Sequence, residues 1–276
     1  MLPAVAALLG VSSSMLLERP LEQAIAFAVE NEFRAFEVWA DHPHAHPDET
    51  PPEMRRRIRT ALDPFERISV HGPLGNASLA SINPGIWRES LRQHLAATEL
   101  AHDLGAAVLV VHPGDLRDHR FKAEFLRLSC EALGKVVERG AQLGVTVAIE
   151  NCGPFHAGID QTAADLATIV RSLGPHGRVC LDTGHAAVNK NAAELVASLG
   201  DVIAHFHVHD NHGARDEHLP IGAGSIDFAP YVPILARLEG MAIAEVVWDE
   251  TRSAEPPEAL ARATKDGWSR LQGKTR

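Results

Sequence analysis

Cysteine is scarce in this sequence, with three in 276 residues. Cys130, Cys152 and Cys180 form no Cys-x-x-Cys pair. Their odd number argues against a disulfide framework and fits reduced packing residues in a reducing compartment. Long apolar runs are missing too. No stretch approaches the ~20 consecutive apolar residues of a transmembrane helix, so no membrane partner is expected. Met1 to Val11 is apolar but lacks a basic n-region, and its run is short, which points to a first strand rather than a signal peptide and to a cytoplasmic protein. No low-complexity tract and no linker interrupts the chain.

Positive charge is also in short supply. Lys and Arg number 26 against 36 Asp and Glu, a net charge of −10. That balance argues against a polyanion partner, since nucleic-acid binders neutralise phosphates with Lys and Arg. Bound metal ions would add local positive charge that the formal count omits.

What is present is a repeating pattern. Short β-branched or apolar runs alternate with longer segments of helical period, as expected for βα units around a parallel sheet. Strands are expected over residues 6–11, 35–39, 68–71, 108–112, 145–150, 179–182, 203–207 and 242–247. Helix signals include Pro51 and Pro52 before a helix over 54–62, Gly105 after one over 88–104, and Gly144 before the fifth strand. Eight evenly spaced units favour closure into one α/β domain spanning 1–276, a single (β/α)8 TIM barrel, over an open doubly wound sheet.

Strand after strand then ends on a residue able to bind metal: His71, His112, Glu150, Asp182, His207 and Glu245. In a barrel all strand C-termini meet at one face, so these six converge. One strand-end His or Asp alone would be a hydrogen-bonded structural residue or a helix cap. Clustered carboxylates, however, repel one another unless cations intervene.

At these residues the sequence resembles the endonuclease IV and xylose-isomerase-like superfamily (AP endonuclease family 2). The resemblance runs through Val-Val-His-Pro-Gly (110–114), Cys-Leu-Asp-Thr-Gly-His (180–185), His-Val-His-Asp-Asn (207–211) and Asp216 to Gly224. Relatives resembling endonuclease IV hold three zinc ions on nine ligands, and isomerase-like relatives usually keep one ion on four. The resemblance implies His71, His112 and Glu150 for one ion, and Glu150, Asp182, His207 and Glu245 for a second. It implies His185, Asp216 and His218 for a third. Mixed imidazole and carboxylate sets suit Zn²⁺, with Mn²⁺ or Fe²⁺ acceptable in the more oxygen-rich central site. Glu150, common to two sets, could bridge ions about 3.5–4 Å apart.

Other residues read more blandly. His42, His44 and His46, interleaved with prolines, are expected in a solvated loop. His205 and His209 share the strand face of His207 and are expected to support it. Gly222-Ala-Gly224 reads as a turn rather than a phosphate cradle.

The leading functional expectation is hydrolysis of a phosphoester, with Glu150 and Glu245 as catalytic residues, the latter orienting or deprotonating the nucleophile. The alternative is a one-metal sugar or sugar-phosphate isomerase or epimerase, in which the two glutamates exchange a proton beside a carbonyl. Residues 35–54 and 68–87 contain no Lys or Arg. A small phosphodiester, phosphotriester or sugar phosphate is therefore favoured over abasic duplex DNA.

Overall fold

The computed structural model describes residues 5–153, 158–160, 162–251 and 253–273. The first four residues of the Met1 to Val11 segment lie outside them. Eight parallel strands pair in chain order: β1 (Leu8–Ser12), β2 (Ala35–Trp39), β3 (Arg67–His71), β4 (Val108–Val111), β5 (Thr146–Glu150), β6 (Arg178–Asp182), β7 (Ile203–Val208) and β8 (Met241–Ala244). Since β1 pairs with both β2 and β8, the sheet is closed and the doubly wound alternative is excluded. β4 and β8 stop short of their expected ends. β4 ends one residue before His112 and β8 one before Glu245, so both side chains project from the first residue of a loop.

Between the strands run α1 (Leu21–Glu30), α2 (Pro52–Ala61), α3 (Pro84–Leu104), α4 (Lys122–Leu143), α5 (Ala163–Ser172), α6 (Thr183–Val188), α7 (Ala192–Leu199), α8 (Val232–Arg237) and α9 (Pro257–Leu271). Their ends obey local chemistry. α3 starts four residues earlier than its periodicity suggests, because the Asn83 side chain accepts from the N–H groups of Gly85 and Ile86 and Pro84 takes the first helical position. It stops at Gly105, whose φ of 72° is the left-handed conformation open to glycine. None of the described helices is long and apolar enough to cross a membrane.

Side chains alternate across each strand, so one set packs under the helices and the other fills the lumen. The lumen is plugged by Ala35, Val108, Val110, Ala148, Cys180, Met241 and Ile243, all buried. Gly10 on β1 completes this plug: a Cβ there would sit 2.7 Å from the Ala35 carbonyl oxygen and 2.6 Å from Ile243 Cδ1. The Ile243 tip can rotate away, but the strand carbonyl cannot. Gly10→Ala is therefore expected to cost about 1–3 kcal/mol by overpacking, read as a lower urea midpoint at unchanged slope. An unchanged midpoint would show that the lumen has room to spare.

Candidate metal centre

Above the plug the lumen turns polar, and the strand ends, α6 and the loop after β7 bring the nine expected ligand residues close together. Glu150, at the end of β5, is the hub. Its Oε2 lies 3.3 Å from His71 Nε2 and 3.0 Å from His112 Nε2, and its Oε1 lies 3.1 Å from His207 Nδ1. Glu245 Oε2 approaches the same His207 nitrogen at 3.4 Å. A second group sits alongside, where His185 Nε2 and His218 Nε2 each lie 3.1 Å from Asp216 Oδ2. His185 joins the two groups, its Nδ1 being 3.4 Å from Glu150 Oε1. Asp182 is placed differently from the others. Its Oδ1 caps α6 through the His185 N–H at 2.6 Å and its Oδ2 faces His209 Nε2 at 3.1 Å, while Asn151 brackets its backbone.

Each imidazole has one nitrogen anchored on a neighbouring group and the other turned toward the cluster, and His185 Nδ1 lies between the Asn151 carbonyl and Glu150. His71 Nδ1 faces the Gly72 carbonyl at 2.9 Å, His185 Nδ1 the Asn151 carbonyl at 2.9 Å, and His218 Nδ1 the Glu245 carbonyl at 2.6 Å. His112 Nδ1 lies 3.4 Å from the Cys152 thiol, and His207 Nε2 lies 3.2 Å from Glu37 Oε1. Anchoring one nitrogen fixes ring orientation and tautomer, which is how proteins prepare histidines for a cation. Buried Glu150 Oε2 also has no hydrogen-bond partner of acceptable geometry although two imidazoles crowd it. Within the buried cluster His71–His112–Glu150 and His185–Asp216–His218 each gather ligand atoms close enough for one ion. These residues fit divalent metal.

The electrostatics agree with a centre built to hold positive charge. Burial alone would lower His71, yet the Glu150 carboxylate overrides it and the imidazole is pushed up to about 9. Burial likewise opposes charging of His218, and Asp216 lifts it to about 9. Burial raises both catalytic candidates, but with opposite net results. His207 and His112 hold Glu150 well below the ordinary carboxylate value. Glu245 ends above that value, burial and the charge of Glu150 outweighing His207.

Some residues stand where the sequence did not place them. His44 is buried, its Nδ1 3.0 Å from Ser13 Oγ and its Nε2 3.0 Å from the Arg19 carbonyl, so it pins the loop after β2 to the turn after β1. The solvated-loop reading therefore fails for His44, while His42 is exposed. Gly222 lies in a turn with φ of 88°, and the Asp210 carboxylate accepts from the N–H groups of Gly222 and Ile226. The turn reading of Gly222-Ala-Gly224 agrees with this. Glu37 was missed altogether. Its signal was a carboxylate in the middle of the otherwise apolar β2, a position that burial makes costly unless the charge is partnered.

Over the ligands lies a cavity of about 380 Å³. Its walls include Leu17, Trp39, Leu74, Val247 and Trp248, with Ser14, Glu18 and Asp249 as its other polar residues. Among the described residues no Lys or Arg lines it. Trp39 stacks on His71 with ring centroids 4.7 Å apart, and Arg19 covers the Trp248 ring at 4.9 Å.

The chain is similar to several known proteins. An uncharacterized protein of Methanocaldococcus jannaschii is 29% identical over 251 residues, covering 88% of this chain and 83% of that one. A probable endonuclease 4 of Thermoplasma acidophilum is 29% identical over 164 residues, covering 54% of this chain and 56% of that one. The crystal structure of a D-tagatose 3-epimerase-like protein superposes with a TM-score of 0.82 at 26% identity, covering 97% and 98% of the two chains. Residues 25–271 match the family described as the xylose isomerase-like TIM barrel, and the chain belongs to that family.

Proposed function

We propose that this protein is a sugar isomerase or epimerase working on a small polyhydroxy carbonyl compound. The observation that carries the reading is the pair of glutamates on one imidazole. Glu150 and Glu245 flank His207 Nδ1 at 3.1 and 3.4 Å, beneath a largely apolar cavity, with their carboxyls displaced to opposite sides of the ordinary value. Two carboxylates facing one cavity can exchange a proton with a carbon held between them. Glu150 takes the proton from the carbon beside the carbonyl, and Glu245 returns one. A divalent cation held by Glu150, Asp182, His207 and Glu245 would polarise the carbonyl and hold the neighbouring hydroxyl. The indole and aliphatic walls exclude water from that carbon. The likeness to a D-tagatose 3-epimerase-like structure over nearly the full length supports this reading above the phosphoester hydrolase expected from the nine-ligand resemblance.

The hydrolase stays as the second reading on one specific observation. His185, Asp216 and His218 form a ready site beside the four-residue centre, and a one-metal epimerase has no need of it. The two readings separate in one variant. Asp216→Ala/His218→Ala should leave at least about half of epimerase turnover, measured as deuterium exchange beside the carbonyl across a panel of free ketoses. A hydrolase would lose roughly a hundredfold or more, the worth of a cation supplying several kcal/mol of charge stabilisation. Wild-type protein that exchanges no ketose proton but cleaves phosphodiesters or phosphotriesters would overturn the epimerase reading. Counting bound metal by elemental analysis separates about one ion from about three.

A further inference from the structure

Of the five inward-facing imidazoles, four anchor their outer nitrogen on a neutral group, three on carbonyls and one on a thiol. His207 Nε2, by contrast, faces the carboxylate of Glu37. Glu37, fully buried on β2, reaches across the lumen so that Oε1 lies 3.2 Å from His207 Nε2, while Oε2 accepts from Ser69 Oγ at 2.8 Å and faces His205 Nε2 at 3.2 Å. The approach to His207 is off the ideal hydrogen-bond axis, yet neither Glu37 Oε1 nor His207 Nε2 has another hydrogen-bond partner. Two buried polar atoms, each otherwise without a partner, therefore face each other.

We infer that Glu37 is a positioning residue of the metal centre: its carboxylate holds the proton of His207 on Nε2 and so presents Nδ1 to the ion between Glu150 and Glu245. Three donors converge on Glu37, and only a group that accepts at both oxygens satisfies them all. The assignment also accounts for His207 offering Nδ1 where the other four offer Nε2, because Glu37 occupies the lumen beneath the ring. A charged outer partner makes the imidazole a stronger ligand than a carbonyl partner does. The inference rests on the metal centre of the preceding reading and not on which reaction that centre serves.

Glu37→Gln is the discriminating substitution because it keeps shape and removes one acceptor. With the amide oxygen turned to Ser69 and His205, the amide N–H₂ meets His207 Nε2 and selects the opposite tautomer, with the proton on the atom that should bind metal. Zinc affinity of the four-residue centre, measured by chelator competition, should fall about 10–100-fold. Affinity at His185, Asp216 and His218 should not change. In zinc-loaded wild-type protein labelled with ¹⁵N-histidine, the His207 signal, identified by its loss in His207→Gln, should show Nδ1 bound to metal and Nε2 bound to hydrogen. That measurement decides the matter even if Glu37→Gln fails to fold. Metal on Nε2, or a folded Glu37→Gln with unaltered zinc affinity, would overturn the inference. Wild-type protein that binds no zinc through His207 would instead overturn the metal centre itself.

Discussion

Replacing Glu150 by Gln should reduce turnover by at least about a thousandfold and empty the site of metal while the barrel still folds. A positioned acid or base contributes roughly 10²–10⁴, and Glu150 is both the candidate base and the hub ligand. Its Oε2 stands 3.3 Å from His71 and 3.0 Å from His112, and its Oε1 3.1 Å from His207. Gln keeps the size of the side chain but removes the negative charge that gathers these rings, and its amide N–H₂ would point donors at atoms prepared to ligate. The measurements are elemental analysis after dialysis, exchange of the proton beside the carbonyl, and circular dichroism to verify folding. If ions are shared through Glu150, more than one should be lost. Loss of a single ion with the rest retained would show that Glu150 serves only one, and unchanged turnover would remove it from the chemistry.

Metal affinity should climb steeply with pH between about 6 and 8 and level off near 9. In the metal-free protein His71 and His218 are pushed up to about 9 and His185 lies well above its ordinary value, so all three carry protons at neutral pH. An ion binds only the deprotonated ring, and each displaced proton adds about tenfold in affinity per pH unit. At the His185–Asp216–His218 site two imidazoles must be emptied, so the slope there should approach a hundredfold per unit. Stability of the metal-free protein should run the other way. A histidine whose folded value is raised from 6.5 to about 9 contributes fully below pH 6.5, and that contribution is lost as pH rises through 9. Unfolding of chelated and zinc-loaded protein across this range checks both trends. A zinc affinity flat from pH 6 to 8 would mean that these rings are already neutral.

Much of the site was legible because barrel closure maps a one-dimensional pattern onto one face. His71, Glu150, Asp182 and His207 lie on successive inward faces near strand ends, and once eight βα units are recognised their convergence follows without coordinates. His112 and Glu245 were found by the same rule although β4 and β8 end one residue short of them. Glu37 escaped the rule because it lies in mid-strand, one inward position below Trp39. His44 escaped it because its burial depends on Ser13 and Arg19, contributed by the loop after β1.

By itself the amino-acid order determined the barrel, the sites of its helix stops and which side chains crowd its mouth, since these depend on period, turn chemistry and spacing along the chain. Only the tertiary structure decided which nitrogen each histidine turns inward, that Asp182 spends one oxygen capping α6, and that the two glutamates flank a single ring. Those outcomes depend on partners brought together from different strands, and on a shared burial that forces every charge to find a counterpart within a few ångströms.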